Sequence, residues 1–378
     1  MGLAKTLRAQ GELDQALKEA EEALAGFASV RDVLGRAASL RVLGQIYVLG
    51  NHLERAQTSY EQALALYSGN VDLHGTADAQ RGLGGLFVEL GDAQRGRDLL
   101  EEAQKGYETV GDLHGVAHCW RGIARTRRMR GQVDVAIALL DKAAKLFEQL
   151  GSPLGAAACH LDLASILRSI EDFTSATDHL EAAVESYQRA QDERGVASCL
   201  TTLGNVLLDA GHVHLAIERH EQALKMFWRT GYQPGVLLAR LNLGHAHMTA
   251  GHFDKAKELL LQVETDARKA KDWVLSQTAA AYLALSDAKA GDFNAARESF
   301  KRAVNKRYNV VSEEIGVALE RLSEVFGNLA PDELDFAVEA LREAERHFEQ
   351  VGQRASQRRA SRNRVDLASK MGDTTRKR

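Results

Sequence analysis

Arginine side chains recur at a fixed interval in the first half of the sequence, and they are the residues best suited to bind a ligand. Arg41, Arg81 and Arg121 are forty residues apart. Arg121, Arg125 and Arg128 are spaced by four and three residues, which places them on one face of a single helix. Guanidinium groups bind carboxylates and phosphates through paired hydrogen bonds. The pattern therefore predicts a basic stripe that binds an acidic, extended peptide.

Three further residues extend this stripe along the sequence. Arg168 continues it into the next repeat, and Asn205 and His245 occupy the column of Arg125 as hydrogen-bonding groups. These eight residues form the predicted partner-binding site. The alternative interpretation is that any repetitive helical protein exposes charges on one face, so that duplication alone produces the column.

The cysteines and histidines do not form a pattern that is typical of a metal site or a disulfide. Cys119, Cys159 and Cys199 are also forty residues apart, on equivalent helices roughly 10 Å from one another, whereas a disulfide needs α-carbons within about 7 Å. We interpret them as small buried residues with reduced thiols. Among the thirteen histidines, the close pairs such as His245 and His247 lack the helical spacing of four that two ligands need. We predict no metal site.

Catalytic and nucleotide-binding motifs are likewise missing from the sequence. It contains no GxxxxGK[ST] loop, no GxGxxG after a strand and no GxSxG turn in a valid context. The carboxylates are scattered over helix faces, as solvated charges are. We therefore predict that the chain is not an enzyme and that it has no catalytic residues and no cofactor.

A forty-residue repeat organises the elements that carry these side chains. Each row of forty holds two amphipathic patterns with helical spacing, such as those from about Val33 to Leu49 and from about Leu53 to Tyr67, and no row has the pattern of a strand. Small residues that allow two helices to approach closely share one column. They are Ala16, Ala56, Gly96, Ala136, Ala176, Ala216, Ala256 and Ala296.

Turns and helix starts also recur in columns. A glycine column follows the first helix of each row and predicts a left-handed residue there; Asn51 substitutes for glycine, and at Glu171 we expect strain or a different turn. Short polar side chains that can cap the next helix follow the second helix. These are Asp32, Asp72, Asp112, Ser152, Asp192, Asp272 and Ser312. All three prolines, Pro153, Pro234 and Pro331, fall near predicted helix starts.

The order of large and small residues in a row resembles the tetratricopeptide repeat, and similar sets recur from about residue 3 to residue 350. The residues that carry the resemblance in one row are Leu43, Gly44, Tyr47, Ala56, Tyr60 and Ala63. The resemblance implies an all-α, right-handed superhelical solenoid of about nine antiparallel helix pairs, with the arginine column facing a concave groove. The forty-residue spacing is similar to that of the long-repeat subgroup of this family, which occurs in G-protein signalling adaptors and in C-terminal arrays of bacterial signalling ATPases and kinases.

Composition and charge restrict the partners. The formal net charge is −4, and no apolar run is long enough for a membrane span or a secretion signal, which predicts a cytoplasmic protein with no membrane partner. We divide the chain into a solenoid over residues 1–351, beginning inside a repeat, and a basic segment over residues 352–378. The basic segment predicts a polar capping helix followed by a disordered tail, with weak nucleic-acid contact through Arg358, Arg359, Arg362 and Arg364 as the alternative.

Two functional hypotheses follow from the sequence. The first is a non-catalytic interaction scaffold whose concave groove binds an acidic or polar segment of another protein. The second is a sensory or autoregulatory array of a larger signalling enzyme, either a bacterial ATPase regulator or a serine/threonine kinase, and the start of the chain inside a repeat favours it.

Overall fold

The computed structural model describes residues 13–308, 310–329 and 334–377, and over this part of the chain the fold is all-α with no strand. The helices form two compact units, Met1–Gln191 and Asp192–Arg378. Predictions for residues 1–12 and for Pro331, including the start inside a repeat, lie outside the described residues.

The described part of the first unit contains nine helices. They are α1 (Leu13–Ser29), α2 (Val33–Leu49), α3 (Leu53–Gly69), α4 (Leu73–Glu89), α5 (Ala93–Val110), α6 (Leu113–Met129), α7 (Val133–Gln149), α8 (Pro153–Ser169) and α9 (Phe173–Arg189).

The described part of the second unit contains nine more α-helices and one 3₁₀ turn, Lys306–Tyr308. They are α10 (Glu193–Asp209), α11 (Val213–Arg229), α12 (Gln233–Thr249), α13 (Phe253–Lys269), α14 (Trp273–Lys289), α15 (Phe293–Ala303), α16 (Glu313–Leu329), α17 (Leu334–Gln350) and α18 (Arg354–Lys377).

Each repeat is an antiparallel pair, in which an even-numbered first helix packs on the odd-numbered second helix that follows it. Within each unit the first helices of successive pairs also contact one another, α2 with α4 and α10 with α12 for example, more closely than the second helices do. The wall of first helices is therefore the inner, concave side of each unit. This arrangement confirms the predicted solenoid of helix pairs.

The small-residue column explains the close approach of the paired helices. Its alanines are fully buried from Ala16 to Ala296. At the helix crossing of α4 and α5, a Cβ placed on Gly84 would lie 2.9 Å from Cγ of Leu100 and 3.0 Å from the carbonyl oxygen of Gly96. Backbone contact at this distance excludes any larger side chain.

The predicted turns and caps are largely confirmed. Every residue of the turn column, from Asn51 to Gly291, has a positive φ. Glu171 adopts the same left-handed turn with φ 63°, so of the two expectations for this position the strained backbone is observed and a different type of turn is not. The carboxylate of each predicted aspartate accepts the amide of the residue three positions on, for example Gly35 at 2.9 Å from Asp32. Ser152 makes no such bond, so that cap prediction is wrong.

The end of the chain is a helix packed on the last pair. Gln353, the residue before α18, donates to Glu313 of α16 at 3.1 Å, and Ala360 of α18 is fully buried. The backbone is helical through Lys377, so the described part of the segment predicted to be a disordered tail is helical.

Candidate functional site

Six of the predicted binding residues lie on first helices of the first unit. Arg41 is on α2, Arg81 on α4, Arg121, Arg125 and Arg128 on α6, and Arg168 on α8. We call these six side chains the arginine wall. Asn205 on α10 and His245 on α12 belong to the second unit and are described separately below.

Two arginines of the wall share one carboxylate. Asp78 on α4 lies 3.4 Å from Nε of Arg41 and 3.7 Å from a terminal nitrogen of Arg81, and all three side chains are less than one third exposed. The hydroxyl of Tyr107 donates to Asp78 at 2.6 Å and accepts from Nε of Arg81 at 3.1 Å. The pKa of Tyr107 is raised above its ordinary range, and burial is the largest cause of this increase. Asp78 therefore holds both guanidinium groups against the wall.

Arg121 is also neutralised by an acid. Its Nε donates to Oδ2 of Asp162 on α8 at 2.6 Å, and the two side chains are 33% and 27% exposed. The expectation that Arg41, Arg81 and Arg121 present free charge to a ligand is therefore corrected, because Asp78 and Asp162 pair with them. Both acids are candidate-site residues that the sequence interpretation missed, although Asp78 precedes Arg81 by a helical spacing of three.

Arg125 and Arg128 retain their charge. Both are exposed, and Arg125 makes no hydrogen bond or ion pair with another described residue. Arg128 donates to the hydroxyl of Ser165, a neutral group, at 3.3 Å. Arg168 on α8 is exposed as well. The uncompensated positive charge of the wall is therefore concentrated on α6, one to two helical turns beyond the neutralised Arg121.

A neighbouring histidine reports the electrostatic field of the wall. Desolvation, followed by the charges of Arg81 and Arg121, lowers the pKa of His118, whose ring packs edge-on against Phe147 at 4.9 Å between centroids. The ring of His118 therefore lies close enough to Arg81 and Arg121 for their charges to disfavour its protonation.

The cysteines and histidines are distributed as packing residues. Cys119, Cys159 and Cys199 are buried free thiols, and desolvation raises the pKa of each to about 12. Within the described ranges, no group of three or more His, Cys, Asp or Glu side chains converges as a metal site.

In the second unit, Asn205 and His245 are half-buried on the first helices α10 and α12. The ring of His245 stacks on that of Tyr282, with centroids 4.6 Å apart and planes 7° from parallel. Burial, followed by the charges of Arg321 and Lys289, lowers the pKa of His245 to about 4. His245 is therefore neutral near pH 7.

Two of the four arginines proposed for nucleic-acid contact in the last helix are engaged within the unit. Arg359 donates both nitrogens of one fork to Glu320 at 2.8 and 2.7 Å, and Arg364 donates to Glu345 at 2.8 Å. Arg358 and Arg362 are exposed. These ion pairs stabilise the packing of α18 on α16 and α17. Of the four arginines proposed for nucleic-acid contact, two are therefore engaged in ion pairs within the unit.

The repeated helix pairs, the glycine and alanine columns and the groove-lining first helices all belong to one kind of interaction module. The sequence profile of the tetratricopeptide repeat matches residues 1–68, 75–149 and 156–227, and a second profile of the same repeat matches residues 201–272. The chain belongs to the tetratricopeptide repeat family.

Solved structures share the fold at low sequence identity. A signal transduction ATPase with a tetratricopeptide repeat sensor from Pyrococcus horikoshii is similar over 92% of this chain and 55% of its own, with TM-score 0.62 and 14% identity. Aspartyl phosphate phosphatase F from Bacillus subtilis is similar over 91% of both chains, with TM-score 0.60 and 12% identity. A Rap protein complexed with competence and sporulation factor is similar over 89% of this chain and 99% of its own, with TM-score 0.50 and 14% identity. No curated protein sequence matches the chain significantly.

None of the described helices is both long enough and apolar enough to cross a membrane.

Proposed function

We propose that the chain is a non-catalytic scaffold that binds an acidic segment of a protein partner on the concave wall of its first unit. The observation that carries the proposal is the pair Arg125 and Arg128, two exposed guanidinium groups three residues apart on α6 that no acid of the described residues pairs with. Arg41, Arg81 and Arg121 have a different role, because Asp78 and Asp162 already bind them. They line the wall as ion-paired groups.

The geometry of α6 supports an acidic ligand. Residues at i and i+3 on a helix project side by side, so two carboxylates of an extended peptide can each bind one guanidinium group. Hydrogen bonds to charged groups contribute about 1.5–3 kcal/mol each when water is excluded and less at an exposed wall. An acidic peptide therefore binds weakly and with strong salt dependence.

Replacing both arginines with glutamine tests this proposal. The variant Arg125→Gln/Arg128→Gln should bind a labelled peptide of alternating Glu and Ser at least tenfold more weakly in fluorescence anisotropy. The matched control is Lys105→Gln/Lys145→Gln, which removes the same charge from exposed positions on the second helices α5 and α7. A peptide of alternating Lys and Ser should not bind the wild-type chain. Equal affinity of the wild type and the arginine variant for the acidic peptide would refute the proposed site.

A second candidate function is that the array is the sensor of a larger signalling protein. The observation that favours it is the similarity of fold, over 92% of this chain, to a protein described as an ATPase with a tetratricopeptide repeat sensor. An upstream in-frame coding region containing a nucleotide-binding loop would support this candidate. The two functions are compatible, because a sensor array also needs a ligand-binding wall.

A further inference from the structure

The second unit contains a separate group of polar side chains on its first helices. Asn205 is on α10, His245 on α12, Tyr282 and Lys289 on α14, and Arg321 on α16. The stack of His245 on Tyr282, 4.6 Å between centroids, joins α12 to α14. Tyr282 and Lys289 are seven residues apart, two turns along the same face of α14. Since α10 contacts α12 and α14 contacts α16, the five side chains line one continuous stretch of wall.

These side chains carry hydrogen-bond donors that the unit itself does not use. Nε2 of His245 is buried and has no hydrogen-bond partner among the described residues. Lys289, Arg321 and Asn205 likewise make no hydrogen bond or ion pair within the described part of the chain. A buried polar atom without a partner destabilises the fold, and in this group that holds for Nε2 of His245. The side chains of Lys289 and Arg321 are exposed, so they offer charged donors to a ligand from solvent.

The electrostatic environment of this group is positive. Burial and then Arg321 lower the pKa of Lys289, and both cations act on His245. A second imidazole, His220 on α11, is fully buried, and both of its ring nitrogens lack a hydrogen-bond partner among the described residues. Burial, followed by the charge of a protonated His245, lowers the pKa of His220 to about 4.

Two acids lie in the same region, and neither cancels this field at His245. Glu314 and Asp209 act on Tyr282, whose pKa is raised to about 12, mainly by burial. Glu314 accepts a hydrogen bond from the hydroxyl of Ser312 at 2.6 Å. The charges that act on His245 itself are those of Arg321 and Lys289. A negative group placed beside Lys289 and Arg321 would relieve the repulsion between these two cations and accept a hydrogen bond from His245.

We infer that His245, Lys289 and Arg321 form a binding site for an oxyanion, either a carboxylate or a phosphate group, with Asn205 and Tyr282 supplying further hydrogen bonds. The two cations provide charge, and the imidazole donates to an anion oxygen from a protonated Nε2. This site goes beyond the proposed function, because it lies in the other unit and uses none of the residues of the arginine wall.

Titration of the full chain with inorganic phosphate, and separately with citrate, tests the inference. The Cε1–H resonance of His245 in carbon–proton correlation NMR, assigned with His245→Gln, reports occupancy directly. Saturable shifts of this resonance with either anion are expected, and the anion that saturates at lower concentration identifies the ligand class. Anion binding should also move the titration of His245 to higher pH, because a negative neighbour favours the imidazolium.

Variants make the assignment specific. Lys289→Gln and Arg321→Gln should each weaken binding about tenfold, equivalent to the loss of one charge-assisted hydrogen bond. The control Lys225→Gln removes an exposed charge from α11 and should bind as the wild type does. Arg125→Gln/Arg128→Gln should also leave the His245 response unchanged, which separates this site from the wall of the first unit. Absence of a saturable shift, or an equal shift in the Lys289→Gln/Arg321→Gln double variant, would overturn the inference.

Discussion

Asp78 is the residue whose replacement best separates stability from binding in the first unit. Its carboxylate neutralises Arg41 and Arg81 at 3.4 and 3.7 Å and accepts the hydroxyl of Tyr107 at 2.6 Å. In Asp78→Asn the hydroxyl bond to Tyr107 can persist, but both guanidinium groups lose their counter-charge. We therefore expect the variant to be less stable and to bind acidic peptides more tightly.

The magnitude follows from these distances and from burial. Each ion pair at about 3.5 Å has a Coulombic energy of about 5 kcal/mol at an effective dielectric constant of about 20. Desolvation of the three half-buried ions offsets most of this energy, and hydrogen bonds to charged groups contribute about 1.5–3 kcal/mol net. The expected loss in free energy of unfolding is therefore about 2–3 kcal/mol. The two released arginines should raise the affinity for the acidic peptide several-fold.

Urea denaturation followed by far-ultraviolet circular dichroism measures the first effect, and peptide anisotropy measures the second. Asp98→Asn is the control, because Asp98 pairs with Arg97 at the exposed surface of α5 and its loss should change stability much less. If Asp78→Asn changed neither the free energy of unfolding nor peptide affinity, the shared-carboxylate arrangement would be wrong.

Two further predictions concern buried titratable groups. Burial lowers the pKa of His220 to about 4 in the folded chain, whereas the unfolded chain has the ordinary value of about 6.5. As the pH falls from about 6.5 to about 4, the unfolded chain binds a proton at this histidine and the folded chain does not. The free energy of unfolding therefore decreases by up to about 3 kcal/mol over this range. Leucine occupies the equivalent position of other repeats, at Leu180 and Leu260. The variant His220→Leu should therefore show a smaller decrease of the urea midpoint between pH 7 and pH 4.5, and its free energy of unfolding at pH 7 should be about 1–2 kcal/mol higher. Unchanged midpoints would contradict the buried, unpartnered ring. Burial raises the pKa of all three cysteine thiols to about 12, so a chromogenic disulfide reagent at pH 8 should react slowly with the native chain and fully after unfolding in urea, and rapid labelling of the native chain would refute this placement.

Much of the local structure was predictable because it depends on short-range chemistry. The helix pairs follow from apolar spacing, the left-handed turns from the glycine column and the caps from aspartates such as Asp32 and Asp72. Where the prediction failed, a specific geometry was responsible. Ser152 occupies a capping position without making the bond, whereas Glu171 shows the expected strain, because it adopts the left-handed turn of its column without being a glycine.

The charge pattern of the candidate site was not predictable at the same level. Arg121 meets Asp162 forty-one residues later, and Arg41 meets Asp78 thirty-seven residues later. Such pairs depend on the rotation of each helix about its axis, which the spacing of residues within one helix does not determine. The forty-residue column placed the arginines on one wall but did not reveal which of them an acid on the next helix would neutralise.

The sequence by itself determined that this protein is a stack of helix pairs of the tetratricopeptide repeat family, because periodic apolar and small residues constrain each pair independently of the others. Only the tertiary structure decided which side chains remain available to a ligand. Neighbouring helices supply the counter-charges for Arg41, Arg81 and Arg121, whereas no acid of the described residues forms an ion pair with Lys289 or Arg321. Availability is a property of the packed surface, since it depends on distances of a few ångströms between residues that are far apart in the chain.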